Sequence, residues 1–381
     1  MHLRRVIAGR IVSVACAVSL AACGGGSGGS GPMPQRAAAL TDTALVSNGV
    51  IAAAHTDSNL LNGWGLAAAP GGPFWVADNN SNKSTIYDGT GATQLPAVTI
   101  PAGANGPSNP TGQVYNGTAD FVITTTVGSA PAQFIFSGEG GTITGWASTV
   151  SGATATTAYD DGAGGAVYKG LAMANNGGGN LLYATDLHNA KIDVFDTHFR
   201  KVAMPGAFAD SMIPAGFAPF GIQALNNQLY VTYAKQDATA HDEQLGAGLG
   251  YVDVFDANGT MLKRFASAGA LNAPWGIAIA PAGFGSAGGD LLIGNFGDGI
   301  INSFDPASGK QLGSIGLASG KQLVIPGLWA LAFGNGTANQ PTSALFYTAG
   351  PNNQADGVFG RVDVVTSMPS SAPPPCTGYG C

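Results

Sequence analysis

The chain has 381 residues, of which 45% are hydrophobic, only 10% are charged and 59 are glycine. That balance suits a compact, turn-rich fold and excludes a charge-driven disordered one. A formal net charge of -7, with 15 lysines and arginines and no basic stripe, excludes recognition of a nucleic-acid backbone.

The first predicted element is a leader over residues 1–22. Arg4, Arg5 and Arg10 make a basic start, "IVSVACAVSL" supplies an apolar stretch too short to span a bilayer, and small residues follow. Its end, Leu20, Ala21, Ala22 and Cys23, resembles the lipobox of bacterial lipoproteins. The resemblance implies that Cys23 is acylated and becomes the first residue of the mature chain. Residues 23–40, rich in glycine and serine, read as a flexible tether. The expectation is an exported protein of the bacterial cell envelope that touches the outer membrane through its lipid alone; the alternative is a secreted one.

The folded region is expected over residues 41–368. A phrase recurs in it six times: "NGWGLA" at Asn62, "NPTGQV" at Asn109, "VYKGLA" at Val167, "APFGIQ" at Ala218, "APWGIA" at Ala273 and "GLWALA" at Gly327. Its fourth residues are Gly65, Gly112, Gly170, Gly221, Gly276 and Ala330, and a period near 50 residues signals a propeller or solenoid. After each phrase comes a second short apolar run ("PFWVAD", "DFVITT", "NLLYAT", "QLYVTY", "DLLIGN", "SALFYT"). A third follows ("STIYDG", "QFIFSG", "KIDVFD", "GYVDVFD", "IINSFD", "GRVDVV"), and most units add a weaker fourth, such as "GTITGW" or "GTMLKRF". Rich in β-branched and aromatic residues and bounded by Gly, Asn, Asp and Pro, these runs read as strands.

The predicted fold is therefore all-β: a six-bladed β-propeller with four strands per blade. The sixth unit lacks a fourth strand, while "TDTALVSNG" at Thr41 has no blade of its own. This N-terminal strand is expected to join the last blade and close the ring. The recurring phrase is then the innermost strand, and its glycine answers crowding rather than a need for positive φ, because alanine serves in the sixth copy. The residue before it is aromatic in four copies (Trp64, Phe220, Trp275 and Trp329), either as packing wedges between blades or as stacking surfaces for a ligand. A Pro-rich tail, 369–381, ends the chain; its Cys376 and Cys381 either pair in an oxidising compartment or remain free.

Through "NGWGLAAAPGGPFWVADNN", "SNPTGQVYNG", "FIFSGEGGTITGW", "APFGIQ" and "GRVDVV" the sequence resembles an uncharacterised bacterial family of exported, NHL-like six-bladed propellers. The resemblance implies the fold and assigns no reaction.

Loops that enter the innermost strands, and loops that join second strands to third, share one face at the channel mouth. By this alignment they carry Asn62, Asp78, Asn79, Asn109, Asp186, His188, Asn295, Asp298 and Asn353, with Trp64 beside them. Oxygen ligands of this kind suit Ca²⁺, and such a metal polarises an ester or lactone carbonyl, as in propeller lactonases. The same residues are also the ordinary ones of turns. Those lactonases share a central Glu, whereas Glu139 and Glu243 are expected away from the channel mouth. No nucleophile elbow, phosphate loop or zinc cluster is present in the sequence. A long polar loop from Tyr233 lies between the second and third strands of blade 4 and suits recognition. Two functions remain: a binding module, expected to be monomeric, for a protein, glycan or small ligand, and a Ca²⁺-dependent lactonase- or esterase-like hydrolase.

Overall fold

A computed structural model describes residues 39–365. Cys23, the leader, most of the tether, Cys376 and Cys381 lie outside the described residues. Six antiparallel sheets surround an axis, with innermost strands Gly63–Ala68, Pro110–Tyr115, Tyr168–Asn175, Phe217–Leu225, Pro274–Ile279 and Leu328–Phe333. Each innermost strand contacts the next, and the sixth contacts the first. Apolar clusters fill the gaps between blades, for example Phe74, Val76 and Tyr87 of blade 1 against Phe346 and Phe359 of blade 6. No helix among the described residues is long and apolar enough to cross a membrane.

The ring is closed by the strand that precedes blade 1. Ala39–Ser47 runs antiparallel to Val358–Val365, with Thr41 opposite Asp363 and Ser47 opposite Val358. Leu40, Leu45 and Val46 of that strand are buried, and His55–Thr56 adds a parallel edge outside it. Joining the two ends of the chain in one sheet removes the open edges that an unsealed ring would expose.

Crowding explains the repeated glycine. A Cβ on Gly65 would lie 2.3 Å from the Thr111 carbonyl oxygen, one on Gly112 2.2 Å from the Leu171 nitrogen, and one on Gly276 2.4 Å from the Trp329 carbonyl oxygen. Each obstacle belongs to the next blade's innermost strand. Gly65, Gly112, Gly170, Gly221 and Gly276 are absent from the residues with positive φ.

Blade 2 departs from the expected assignment. "DFVITT" is not its second strand: Val122–Thr124 pairs with Ser129–Pro131 in a separate two-stranded hairpin. The second strand is Phe134–Gly138, the third Thr142–Trp146 and the fourth Thr156–Asp160. A strand inside a blade is covered on both faces, and Phe134–Gly138 is buried throughout, whereas Val122–Thr124 alternates exposed and buried. This one-strand shift moves the turn after Gly138 from the lower face of the propeller to the upper.

Candidate upper-mouth site

Each innermost strand carries a β-bulge at the recurring phrase. The register breaks between Gly63 and Leu66, Tyr168 and Gly170, Pro219 and Ile222, Pro274 and Ile277, and Leu328 and Leu331. In blade 2 it breaks opposite Phe136 and Gly138. A bulge re-aims a side chain. Trp64 of blade 1 stacks on Trp329 of blade 6 at 3.6 Å and meets Trp275 of blade 5 edge-on at 6.4 Å. Phe220 of blade 4 lies 5.9 Å from Trp329, which also stacks on Phe296 at 4.0 Å. Aromatic pairs of this kind contribute about 0.5–1.5 kcal/mol each beyond their buried area. The rings plug the channel across the axis. Trp64 and Trp329 are fully buried and stack across the joint between adjacent blades 1 and 6, so they pack between blades and offer no face to a ligand.

Blade 3 places Lys169 where those blades place an aromatic ring. The side chain is fully buried, and its Nζ lies 5.3 Å from the centre of the Trp64 ring. Nζ donates to Glu139 Oε1 and, at 3.1 Å, to Asp242 Oδ1. Burial alone would lower its pKa; the charges of Glu139, Glu243 and Asp242 outweigh burial and hold it above the ordinary lysine value. Glu139 stands in the relocated blade 2 turn, and Asp242 and Glu243 in the blade 4 insertion. That insertion folds back on its own blade, with Glu243–Gln244 paired to Lys235 and Gln236. The expectation that both glutamates avoid the channel mouth is thereby corrected: the strand shift brings one to the upper face and the folded insertion brings the other.

One lysine faces three carboxylates, and the surplus is visible in their acidities. Burial pushes the half-buried Glu243 carboxyl up to about 7, against the pull of Lys169. His241 Nδ1 lies 3.0 Å from Asp242 Oδ1; that hydrogen bond raises the imidazole pKa and holds Asp242 well below the usual carboxylate range. Glu139, His241 and Asp242 present potential ligand atoms within 4.8 Å of one another. Beside them opens a cleft of about 280 Å³ lined by Asn105, Asn109, Glu139, Gly140, Val167 and His241.

Four of the residues singled out in the sequence meet this cluster. Asn62 accepts from Trp329 Nε1 at 2.9 Å and donates to Asn79 Oδ1 at 3.3 Å. Asn79 Nδ2 donates to Glu139 Oε2 at 2.9 Å and to the Asn109 carbonyl at 3.1 Å. Trp64 underlies Lys169. Asn62 and Asn109 also hold left-handed backbone (φ 50° and 46°), the conformation that leads the chain into an innermost strand and that asparagine tolerates.

The others lie apart. Asp78 is fully buried beside Thr85, and burial raises its carboxyl well above the usual range. Asp186 Oδ1 accepts from Val167 N at 3.1 Å, and Asn295 Oδ1 from Asn272 N at 3.2 Å, each pinning its own blade's entry loop. Asp298 accepts from Ile300 N and Asn272 Nδ2. Asn353 occupies a left-handed turn; His188 alone among these stays near the cleft, exposed with its ring beside Gly165 of the cleft wall. Lys169 was missed, and His241 and Asp242, though they lie in the polar loop from Tyr233 marked for recognition, were not singled out. The signal for Lys169 was in plain sight, since "VYKGLA" puts a lysine where four of the six copies have an aromatic.

Sheet order and the sealed axis define a six-bladed β-propeller with a polar upper mouth. The soluble aldose sugar dehydrogenase of Escherichia coli, in its apo-form, shares this fold: TM-score 0.51, 12% identity, covering 86% of this chain and all of that one. No protein-family model matches the sequence. Two relatives are much nearer in sequence, both from Acanthamoeba polyphaga mimivirus. "Uncharacterized protein R648" is 35% identical over 84% of this chain and 78% of its own length, and "Uncharacterized protein L690" 34% identical over 84% of each. The chain belongs to the family of these two proteins, which are viral rather than bacterial.

Proposed function

We infer that the protein is a binding module whose upper cleft holds a small ligand rich in hydrogen-bond donors, a polyol or the end of a glycan. The observation that carries this reading is the convergence of Glu139, His241 and Asp242 at the edge of an open cleft. Neighbouring backbone donors are already used: Glu139 N by the Asn109 carbonyl, Gly140 N by that of Ser108, and Val167 N by Asp186. To these the Glu139 and Asp242 carboxylates add acceptors, which select donors in a partner. Calorimetric titration of the full chain with a panel of monosaccharides and oligosaccharides tests it. Binding that Asp242→Asn weakens by about tenfold supports the reading; a panel with no binder at millimolar concentration sinks it.

The second reading is the Ca²⁺-dependent hydrolase, favoured by Glu139 standing beside Asn79 and Asn109. The residues present do not fit the ion, because the Lys169 ammonium already takes Glu139 Oε1 and Asp242 Oδ1, and a divalent cation would sit against a like charge. If EDTA lowers the melting temperature and calcium restores it, this second reading replaces the first.

The basic start, apolar stretch, small residues and Cys23 further support a lipid-anchored protein of the bacterial cell envelope. Cys23→Ala is expected to release it to the soluble fraction; unchanged membrane retention would refute the anchor.

A further inference from the structure

Beneath the aromatic plug the same six strands build a different surface. The residue after the repeated glycine is aliphatic in four blades (Leu66, Leu171, Ile222 and Ile277), Leu331 follows Ala330 in the sixth, and blade 2 alone has an amide, Gln113. A void of about 20 Å³ bordered by these residues and by Trp275 lies directly under the plug. Next to it is a funnel of about 360 Å³, lined among others by Leu66, Tyr115, Met173, Gln223 and Phe333. Gln113 borders both spaces. Its Nε2 donates to the Gly65 carbonyl at 3.1 Å and to the Trp75 carbonyl, which fixes the orientation of the amide. The other end, Oε1, is buried and has no hydrogen-bond partner among the described residues.

We propose that this lower funnel is a second ligand site, for a small amphipathic molecule with an apolar ring and one hydrogen-bond donor, such as an aromatic alcohol. The volume falls within the range of small-molecule pockets, and the walls mix apolar side chains (Leu66, Met173, Phe333) with polar ones (Gln113, Gln223, Asn335). The unpaired acceptor, on the residue that borders both spaces, selects a donor. Because the plug closes the channel above, this site is independent of the upper cleft.

The test is ligand-observed NMR on the full chain with p-cresol and with toluene, which differ by the hydroxyl. p-Cresol is expected to bind, and toluene at least about fivefold more weakly. Gln223→Trp, at an exposed position of the funnel wall, fills the funnel, removes p-cresol binding and leaves the melting temperature within a few degrees, about the scale of a surface change. Gln113→Leu abolishes the preference for p-cresol over toluene; should that variant not fold, Gln223→Trp still decides. Saturable binding that survives Gln223→Trp, equal affinity for the two probes, or no binding at millimolar concentration overturns the proposal.

Discussion

At the upper end of the channel Lys169 meets Glu139 and Asp242; at the lower end Leu66, Met173 and Phe333 surround Gln113. Both ends belong to the same six innermost strands, separated by one layer of rings. The difference comes from what each end receives. Residues before the glycine are re-aimed by a bulge and met by long loops, among them the blade 4 insertion, which reaches Lys169 from the next blade. Residues after the glycine return to regular pairing and to the apolar pattern of a packed sheet. A propeller can thus give one mouth charge and the other a neutral lining without altering its scaffold.

Losing the ring closure should erase both ends together. Deleting residues 39–47 removes buried Leu40, Leu45 and Val46 and exposes the edge of Val358–Val365. Thermal melts followed by circular dichroism should then show no cooperative transition. A variant melting within a few degrees of the parent would mean that the early strand is dispensable.

Lys169→Met should damage the upper end alone. It strands the Glu139 carboxylate, whose side chain is 10% exposed, at a cost of about 3–5 kcal/mol in urea unfolding. Adding Glu139→Gln should return much of that loss, since the stranded charge is then gone. Equal losses in the single and double variants would place the cost in packing against Trp64 instead.

The smallest expected effect sharpens the charge argument. The Glu243 carboxyl is raised to about 7 in the folded state, so its contribution is fully present at acidic pH and is lost as pH rises through that value. After allowance for screening at a half-buried side chain, the parent should lose about 1 kcal/mol between pH 5 and pH 8 that Glu243→Gln does not lose. Parallel pH profiles for the two proteins would contradict this assignment.

Much of the fold was legible because a propeller repeats a local pattern. The six phrases, the apolar runs after them and the missing last strand specify the blade count and the closure, and Ala330 distinguishes crowding from positive φ. The blade 2 hairpin escaped because "DFVITT" and "QFIFSG" have equal strand character; what separates them is burial on both faces, which only neighbouring blades supply. That shift also hid Glu139, by placing its turn on the wrong face.

By itself, then, the sequence determined the number of blades, how the ring is sealed, and which residues must be small at the axis, since each depends on spacing along the chain and on backbone sterics. Tertiary structure alone decided that Lys169, Glu139 and Asp242 form one ionic cluster, that four aromatic copies close the channel, and that Gln113 is left with an unpaired oxygen. Those outcomes depend on bulges aiming side chains across the axis and on an insertion folding over it, and no local periodicity records which residues arrive there.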